Sequence, residues 1–406
     1  MSQHQSINYV LFDGKVRQQL LPLTFTRPLA DMRTGILTIR QKWEQYLKHT
    51  CSTLTVSYLQ NLYPLHLQKD NVFINGSVLP NAQLVQQIKH LQPMQAIADG
   101  EVLIALRAES KYPGMLHTAS GEVRLITTDF KHLPPAHPYQ KINHLWDIFL
   151  LTADAIQHDF MLLTHNRTSE PVDDTNRVIN PEGVFLEPGA QVQGTFLNAS
   201  EGPIYIGKDA QVMEGSTIRG PFALCQHASV KMGTRIYGGT TIGPYSKVAG
   251  EVSNSVIFGY SNKAHDGYLG NSVLGEWCNL GAGTNNSNLK NNYSRVSIWN
   301  YPEGKMTDTG QQFCGLIMAD HSKCSINTMF NTGTVVGVGA NIFGADFPPK
   351  FIPSFSWGGS AGFVTYQFNQ FLQTAAAVYQ RRGKTLADAE ITLLKTLFDK
   401  TRNNEL

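Results

Sequence analysis

A dense group of residues suited to proton transfer and hydrogen bonding lies between residues 263 and 290 of this 406-residue chain. Its ionisable and amide members are His265, Tyr268, Asn279, Asn288 and Lys290. An imidazole can take the proton of an attacking amine or hydroxyl near neutral pH, while tyrosine and asparagine can donate hydrogen bonds near a reacting carbonyl. No Ser or Cys nucleophile is suggested beside His265, which favours direct transfer over a covalent intermediate. From spacing alone, a surface or capping histidine is the alternative.

The segment that must position this group shows a period of six residues. Aliphatic side chains recur without a slip at Ile206, Val212, Ile218, Leu224, Val230, Ile236, Ile242 and Val248. Small residues follow four positions later at Ala210, Ser216, Ala228, Thr234, Thr240 and Ser246. This repeat is typical of a parallel β-helix, in which three short strands close a triangular coil and the aliphatic residue points inward. A glycine-rich loop would not keep eight aliphatic residues in phase.

The repeat is interrupted around the candidate site. Its phase breaks between Glu251 and Leu269, which predicts a loop or an irregular coil that offers side chains outward. The period returns at Leu274, Cys278, Leu280 and Thr284 and again at Val336, Ala340 and Ile342. We interpret residues 285–315 as a long excursion from the β-helix.

The flanking regions have other patterns. Before residue 165, predicted strands at 9–12, 72–74 and 102–106 alternate with predicted helices at 36–46, 81–91 and 145–158, which indicates a mainly parallel sheet covered by helices. After residue 353, helices are predicted over 363–381 and 386–400, the second opened by a capping box of Thr385 and Asp388. An apolar stripe in this second helix, Leu386, Ala389, Leu393 and Leu397, predicts packing.

These patterns divide the chain into four parts. We predict an α/β domain over 1–165, a polar linker over 166–183, the β-helix over 184–352 and a helical segment over 353–406.

Composition narrows the class of protein. The formal net charge is +2 and there is no basic run, so nucleic acid is not an expected partner. The apolar stretches are far shorter than the ~20 residues of a membrane helix, and the first residues show no apolar signal core. The five cysteines show no CxxC pair, so we expect neither disulfides nor a metal site, and a reducing cytoplasmic location.

The stretch HDGYLGNSVLGEWCNLGAGT (265–284) resembles the acetyltransferase half of the bifunctional N-acetylglucosamine-1-phosphate uridylyltransferase/glucosamine-1-phosphate acetyltransferases. The later SNLKN and DTGQQFCGLIMADHSKCSINT segments resemble archaeal sugar-1-phosphate nucleotidylyltransferase/acetyltransferases. The resemblance implies a left-handed β-helix, a homotrimer with active sites between subunits, and acetyl-CoA as co-substrate. It assigns His265 as the base that deprotonates the amino sugar, with Tyr268, Asn279, Asn288 and Lys290 binding substrate. Ser253-Asn254 stands where the family has a Lys-Asn pair, so one sugar-phosphate contact is missing.

The N-terminal region resembles a shortened form of the family's sugar nucleotidyltransferase half. The block DGKVR (13–17) stands where the family has a glycine-rich phosphate loop, so the resemblance implies nucleotide binding by Gly14 and Arg17. Val16 replaces the second glycine, and Ser77 replaces the aspartate that holds Mg²⁺. Serine is a poor magnesium ligand, so Mg²⁺ is expected only if this domain is active. A degenerate domain and a purely structural one both remain open.

Three hypotheses follow for the function. The leading one is an acetyl-CoA-dependent N-acyltransferase that acts on an amino sugar or a sugar-1-phosphate. The second is a sugar-1-phosphate nucleotidyltransferase whose β-helix serves oligomerisation. The third is a non-catalytic trimeric module that binds a sugar phosphate or nucleotide sugar.

Overall fold

The N-terminal sheet is mixed in direction. The computed structural model describes residues 7–109, 115–117 and 123–403. Its N-terminal strands are β1 (Asn8–Phe12), β2 (Cys51–Leu54), β3 (Asp70–Asn75), β4 (Val78–Leu79), β5 (Gln95–Asp99), β6 (Val102–Glu109), β7 (Met115–His117), β8 (Val123–Leu125), β9 (Lys131–Leu133) and β10 (Gln140–Lys141). The main sheet has the order β2-β1-β3-β6-β5-β9, while β4 pairs with β10 and β7 with β8.

The mainly parallel sheet predicted from sequence is therefore only partly confirmed. Strand β1 runs parallel to β2 and β3, and β5 parallel to β9, but β6 is antiparallel to both β3 and β5. The reversal is made by a tight hairpin after Asp99, in which Gly100 has φ +55°. An Asp-Gly pair between two apolar runs is a strong hairpin signal, so this turn was predictable.

Within the described residues, six α-helices flank the strands. They are α1 (Ile39–Leu47), α2 (Ala82–Lys89), α3 (Asp147–Leu150), α4 (Thr152–Thr164), α5 (Phe368–Gln380) and α6 (Asp388–Arg402). Short 3-10 turns occur at Lys15–Leu20, Leu29–Asp31, Ser57–Leu59 and Pro181–Gly183. Helix α1 begins three residues later than predicted because Thr38 caps it: the Gln41 N–H donates to the threonine hydroxyl, and the Thr38 N–H donates to the Gln41 side chain.

The C-terminal part of the chain forms a parallel β-helix, as the hexapeptide period predicts. Face 1 is built by Arg177–Ile179, Phe196–Asn198, Thr217–Arg219, Arg235–Ile236, Glu251–Ser253 and Tyr268–Gly270. Face 2 is built by Val184–Leu186, Ile204–Ile206, Phe222–Leu224, Thr240–Ile242, Val256–Gly259, Val273–Glu276, Ile317–Met318, Val335–Val336 and Phe351–Ile352. Face 3 is built by Gln191–Val192, Gln211–Val212, Ser229–Val230, Lys247–Val248, Asn262–Lys263, Asn279–Leu280, Lys323–Cys324, Asn341–Ile342 and Ser356–Gly359. All eight predicted aliphatic residues lie in its core.

Of the two predicted alternatives for the phase break at Glu251–Leu269, a loop and an irregular coil, the structure forms the irregular coil. The coil continues through it, and Val252, Ile257 and Leu269 take the interior positions. Two corners are shorter there, between Val248 and Val252 and between Val252 and Ile257, with Gly250 and Asn254 at positive φ. The predicted excursion at 285–315 begins two residues later, because Asn285–Asn286 still pairs with Met329–Phe330. Residues 287–315 leave the coil and form a hairpin of Ser297–Asn300 and Lys305–Asp308.

The C-terminal elements start later than predicted. Gly362–Thr365 is a strand antiparallel to Ser356–Gly359, so α5 begins at Phe368 and not at residue 363. Helix α6 begins at Asp388, where the Glu390 carboxylate accepts the Ala387 N–H; the predicted Thr385–Asp388 box is wrong. The predicted stripe does pack: Leu386, Leu393 and Leu397 are buried.

An aromatic ladder connects α5 with the solenoid. Tyr245, Tyr260 and Trp277 occupy successive corners in the left-handed backbone region and stack at centroid distances of 4.8 and 4.3 Å. Tyr379 of α5 stacks on Trp277 at 3.9 Å. Stacked aromatic pairs stabilise a fold beyond the burial of their surface area. This stack therefore helps to hold α5 against the β-helix.

The chain forms two compact units. The first comprises residues up to 20, 26–32 and 37–144; the second comprises 21–25, 33–36 and 145–406. Helices α3 and α4 thus belong with the β-helix, whereas the sequence analysis placed the boundary after residue 165. Strand Arg177–Ile179 lies inside the predicted linker and already pairs with Phe196–Asn198. No helix among the described residues is long and apolar enough to cross a membrane.

Candidate active site

His265 lies at the corner of the coil between face 3 and face 1. It follows strand Asn262–Lys263 and precedes Tyr268–Gly270, and its side chain is exposed. Gly267 has φ +121°, and a β-carbon there would lie 2.0 Å from the Thr284 carbonyl oxygen. Only glycine fits this close approach of two coils. The corner is therefore held tightly while the imidazole remains accessible to a substrate.

The side chains of Tyr268 and Asn288 lie in contact. The Asn288 amide donates to the Tyr268 hydroxyl at 2.9 Å and to the Asn271 side-chain oxygen at 2.7 Å. The Tyr268 backbone N–H donates to the Asn285 side chain at 2.8 Å. The excursion thus folds back onto face 1 beside the His265 corner, which brings Asn271 and Asn285 into the site. Neither was a sequence-predicted site residue.

The environment of Tyr268 keeps its hydroxyl protonated. Burial raises the pKa of Tyr268, the carboxylate of Glu251 on the neighbouring strand raises it further, and the Asn288 hydrogen bond acts in the opposite direction. A protonated phenol can donate a hydrogen bond to a carbonyl oxygen. The arrangement therefore offers a hydrogen-bond donor on the strand that follows the His265 corner.

Asn279 and Lys290 are placed differently. Asn279 is on face 3, where its side-chain oxygen accepts from Asn262 at 3.3 Å. The Lys290 ammonium donates to the Arg295 carbonyl within the excursion at 2.5 Å. No hydrogen bond among the described residues joins either side chain to His265 or Tyr268. Their substrate contacts stay predictions.

The nearby thiols are unsuited to act as nucleophiles. All five cysteines are buried and unpaired by disulfides. Burial raises the pKa of Cys278 to about 12 and raises that of Cys324 as well. Because the thiolate is the nucleophilic form, these residues favour direct transfer at this site.

The N-terminal unit contains a separate pocket of about 380 Å³. Its lining includes Gly14 and Asn75, three cationic residues that were not predicted as site residues, Lys15, Arg124 and Lys141, and one acidic residue, Glu101. Gly14 is thus at the pocket, and its binding of a nucleotide stays a prediction. The cluster is visible only in the fold, because its cations come from three distant parts of the sequence.

Arg17, which the resemblance implied as a nucleotide-binding residue, is engaged in contacts outside the pocket. Its guanidinium lies 3.3 Å from the Asp13 carboxylate and donates to the Tyr58 hydroxyl at 2.7 Å. Asp13 is buried and also accepts from the Leu29 N–H and the Thr55 hydroxyl. Burial raises the pKa of Asp13, and the adjacent guanidinium opposes that effect. Arg17 therefore stabilises a buried network, and it is not a lining residue of the pocket.

The residues at the expected magnesium position do not fit the ion. Ser77 is buried, and its hydroxyl donates to the Asn75 side-chain oxygen at 2.8 Å, as does its backbone N–H at 3.0 Å. Both Ser77 donors are thus engaged with the Asn75 side-chain oxygen. Mg²⁺ prefers carboxylate oxygens, and the described residues hold no group of three His, Cys, Asp or Glu side chains arranged for a metal.

Comparisons with known proteins confirm the predicted resemblance. Residues 9–168 match the family model described as sugar nucleotidyl transferase. The bifunctional protein GlmU of Rippkaea orientalis is 29% identical over 154 residues, covering 33% of each chain. The bifunctional sugar-1-phosphate nucleotidylyltransferase/acetyltransferase of Sulfurisphaera tokodaii is 30% identical over 189 residues, covering 41% of this chain and 47% of that protein.

Other relatives are matched over similar spans. The GlmU protein of Synechococcus elongatus is 25% identical over 229 residues, covering 52% of this chain and 44% of that protein. The matched part thus spans about a third to a half of the length of these curated relatives. The solved Arabidopsis UDP-N-acetylglucosamine acyltransferase superposes with a TM-score of only 0.30 at 10% identity, over 58% of this chain and 96% of that one.

Proposed function

We propose that the chain is an acetyl-CoA-dependent N-acyltransferase that acts on an amino sugar or sugar-1-phosphate, with His265 as general base. The observation that carries the proposal is the exposed imidazole on a rigid coil corner beside the Tyr268–Asn288 pair. The similarity to bifunctional nucleotidylyltransferase/acetyltransferases supports the same chemistry.

The reaction balances with the groups at the site. The amine nitrogen of the acceptor attacks the thioester carbonyl, so a C–N bond forms and the C–S bond breaks. His265 takes the proton released by the amine and passes it to the departing thiolate. In this proposal the Tyr268 hydroxyl donates a hydrogen bond to the carbonyl oxygen as negative charge develops there.

Thiol release from acetyl-CoA, measured over a panel of amino sugars and their 1-phosphates, tests this proposal. We expect turnover with at least one acceptor and none without an acceptor. A protein that binds acetyl-CoA or a sugar phosphate but turns over none of the panel would instead support the binding module. The homotrimer stays a prediction, which light scattering checks as a mass three times that of the 45.0 kDa chain.

A second candidate function is nucleotide binding in the N-terminal pocket. The match to a sugar nucleotidyl transferase model and the cationic lining of the pocket favour it. Because Val16 and Ser77 replace the family's second glycine and metal ligand, we expect little Mg²⁺-dependent pyrophosphate release from UTP or dTTP with a sugar-1-phosphate. Robust release would make nucleotidyl transfer the leading function.

Lys15→Ala is expected to weaken binding of UTP or dTTP about tenfold, or ~1.4 kcal/mol, because it removes one cation that faces the phosphates. Calorimetric titration measures the effect. Lys69→Ala is the matched control, since Lys69 is an exposed lysine of the same unit outside the pocket. Equal affinities of the two variants would remove Lys15 from the binding site.

A further inference from the structure

One interior position of the β-helix holds a cation. Lys263 is on face 3, paired with Val248, and its side chain occupies the inward position that aliphatic residues fill in the neighbouring coils. Only 2% of its surface is exposed. Burying an ammonium costs free energy that a leucine or valine would not cost. The lysine therefore destabilises the core at this position, which suggests that its charge has another role.

The ammonium of Lys263 is directed at the His265 corner. It donates to the His265 carbonyl oxygen at 2.6 Å, and this is the hydrogen bond that the carbonyl accepts among the described residues. The carbonyls of the next two residues are held differently: Asp266 accepts from the Gly283 N–H and Gly267 from the Glu251 N–H, both at 3.1 Å. Neighbouring coils thus hold the carbonyls of Asp266 and Gly267, whereas Lys263 holds the carbonyl of His265.

The electrostatics agree with this geometry. Burial lowers the pKa of Lys263 to about 8, while Asp266 and Cys324 act in the opposite direction. The side chain is therefore protonated at neutral pH, and an ammonium makes a stronger hydrogen bond to a carbonyl than a neutral donor.

We propose that Lys263 is a positioning residue: from inside the solenoid, it fixes the peptide on which the His265 imidazole stands. The proposal rests on the proposed function of His265. It explains why a cation occupies an aliphatic position at this corner. Misplacement of a catalytic group by about 1 Å can cost on the order of 10²-fold in rate, so a small loosening of the corner would have a large effect.

Lys263→Met tests the proposal, because methionine fills a similar volume without charge. We expect an unchanged or higher melting temperature, faster amide hydrogen exchange in the peptide spanning 264–267, and a kcat about 10- to 100-fold lower with little change in KM for acetyl-CoA. Lys247→Met is the control, since Lys247 lies on the same face one coil earlier and points outward. It should change neither the exchange nor kcat.

The outcomes separate this proposal from the proposed function. Unchanged exchange and unchanged kcat in Lys263→Met would overturn the positioning role. If the wild type transfers no acetyl group, the function fails, whereas hydrogen exchange still reports on the corner. Lys263→Leu, with a residue type found at adjacent interior positions, is the second variant. Loss of cooperative unfolding in both variants would show that the fold itself needs the lysine and would also overturn the proposal.

Discussion

His265→Ala is expected to lower the rate of acetyl transfer by about 10²–10⁴-fold while the melting temperature stays that of the wild type. The variant lacks the group that we propose as the base for the proton that the attacking amine must lose. The side chain is exposed, so its removal leaves no cavity in the core. The measurement is kcat and KM from thiol release with the accepted amino sugar.

His227→Asn is the matched control for this variant. His227 is an exposed histidine at another corner of the same β-helix, and asparagine tolerates its left-handed backbone at φ +54°. We expect this control to retain wild-type turnover. An active wild type whose His265→Ala variant keeps its full rate would remove His265 from the chemistry and leave it a surface residue.

Ile236→Asp is expected to destabilise the β-helix by at least about 3 kcal/mol, because it places an unpaired carboxylate in the solenoid core. Ile236 is 3% exposed and lies between Ile218 and Val252 of the adjacent coils, so no polar partner is available in its interior stack. The midpoint of urea unfolding measures the loss.

Thr217→Asp controls for the added negative charge. Thr217 is on the same face one coil earlier, but it points outward and pairs with Arg235. A surface substitution of this kind usually changes stability by less than about 0.5 kcal/mol. Similar unfolding midpoints for the two aspartate variants would contradict the interior assignment of Ile236.

The β-helix could be predicted from sequence because its core residues recur at a short, regular spacing along the chain. Each strand contributes at least one inward side chain at a regular spacing, so the period of six appears directly as a run of aliphatic residues such as Ile206, Val212 and Ile218. The sequence left a loop and an irregular coil open between Glu251 and Leu269, and the structure forms the irregular coil. Its two short corners contain Gly250 and Asn254 at positive φ, and the spacing of aliphatic residues does not by itself show that the coil continues through them.

The candidate site was only partly determined by the sequence. The motif containing His265 and Tyr268 is contiguous, so its residue types and order were readable. The partners of these residues were decided by the tertiary structure: Asn288 reaches Tyr268 because the excursion folds back, and Lys263 reaches the His265 carbonyl from inside the coil. The Asn288 contact joins residues 20 apart in sequence, whereas the Lys263 contact joins residues two apart and depends on the lysine side chain lying inside the coil. The spacing of residues in the sequence predicts the period of the coil. It does not predict the direction in which a polar side chain at an interior position points.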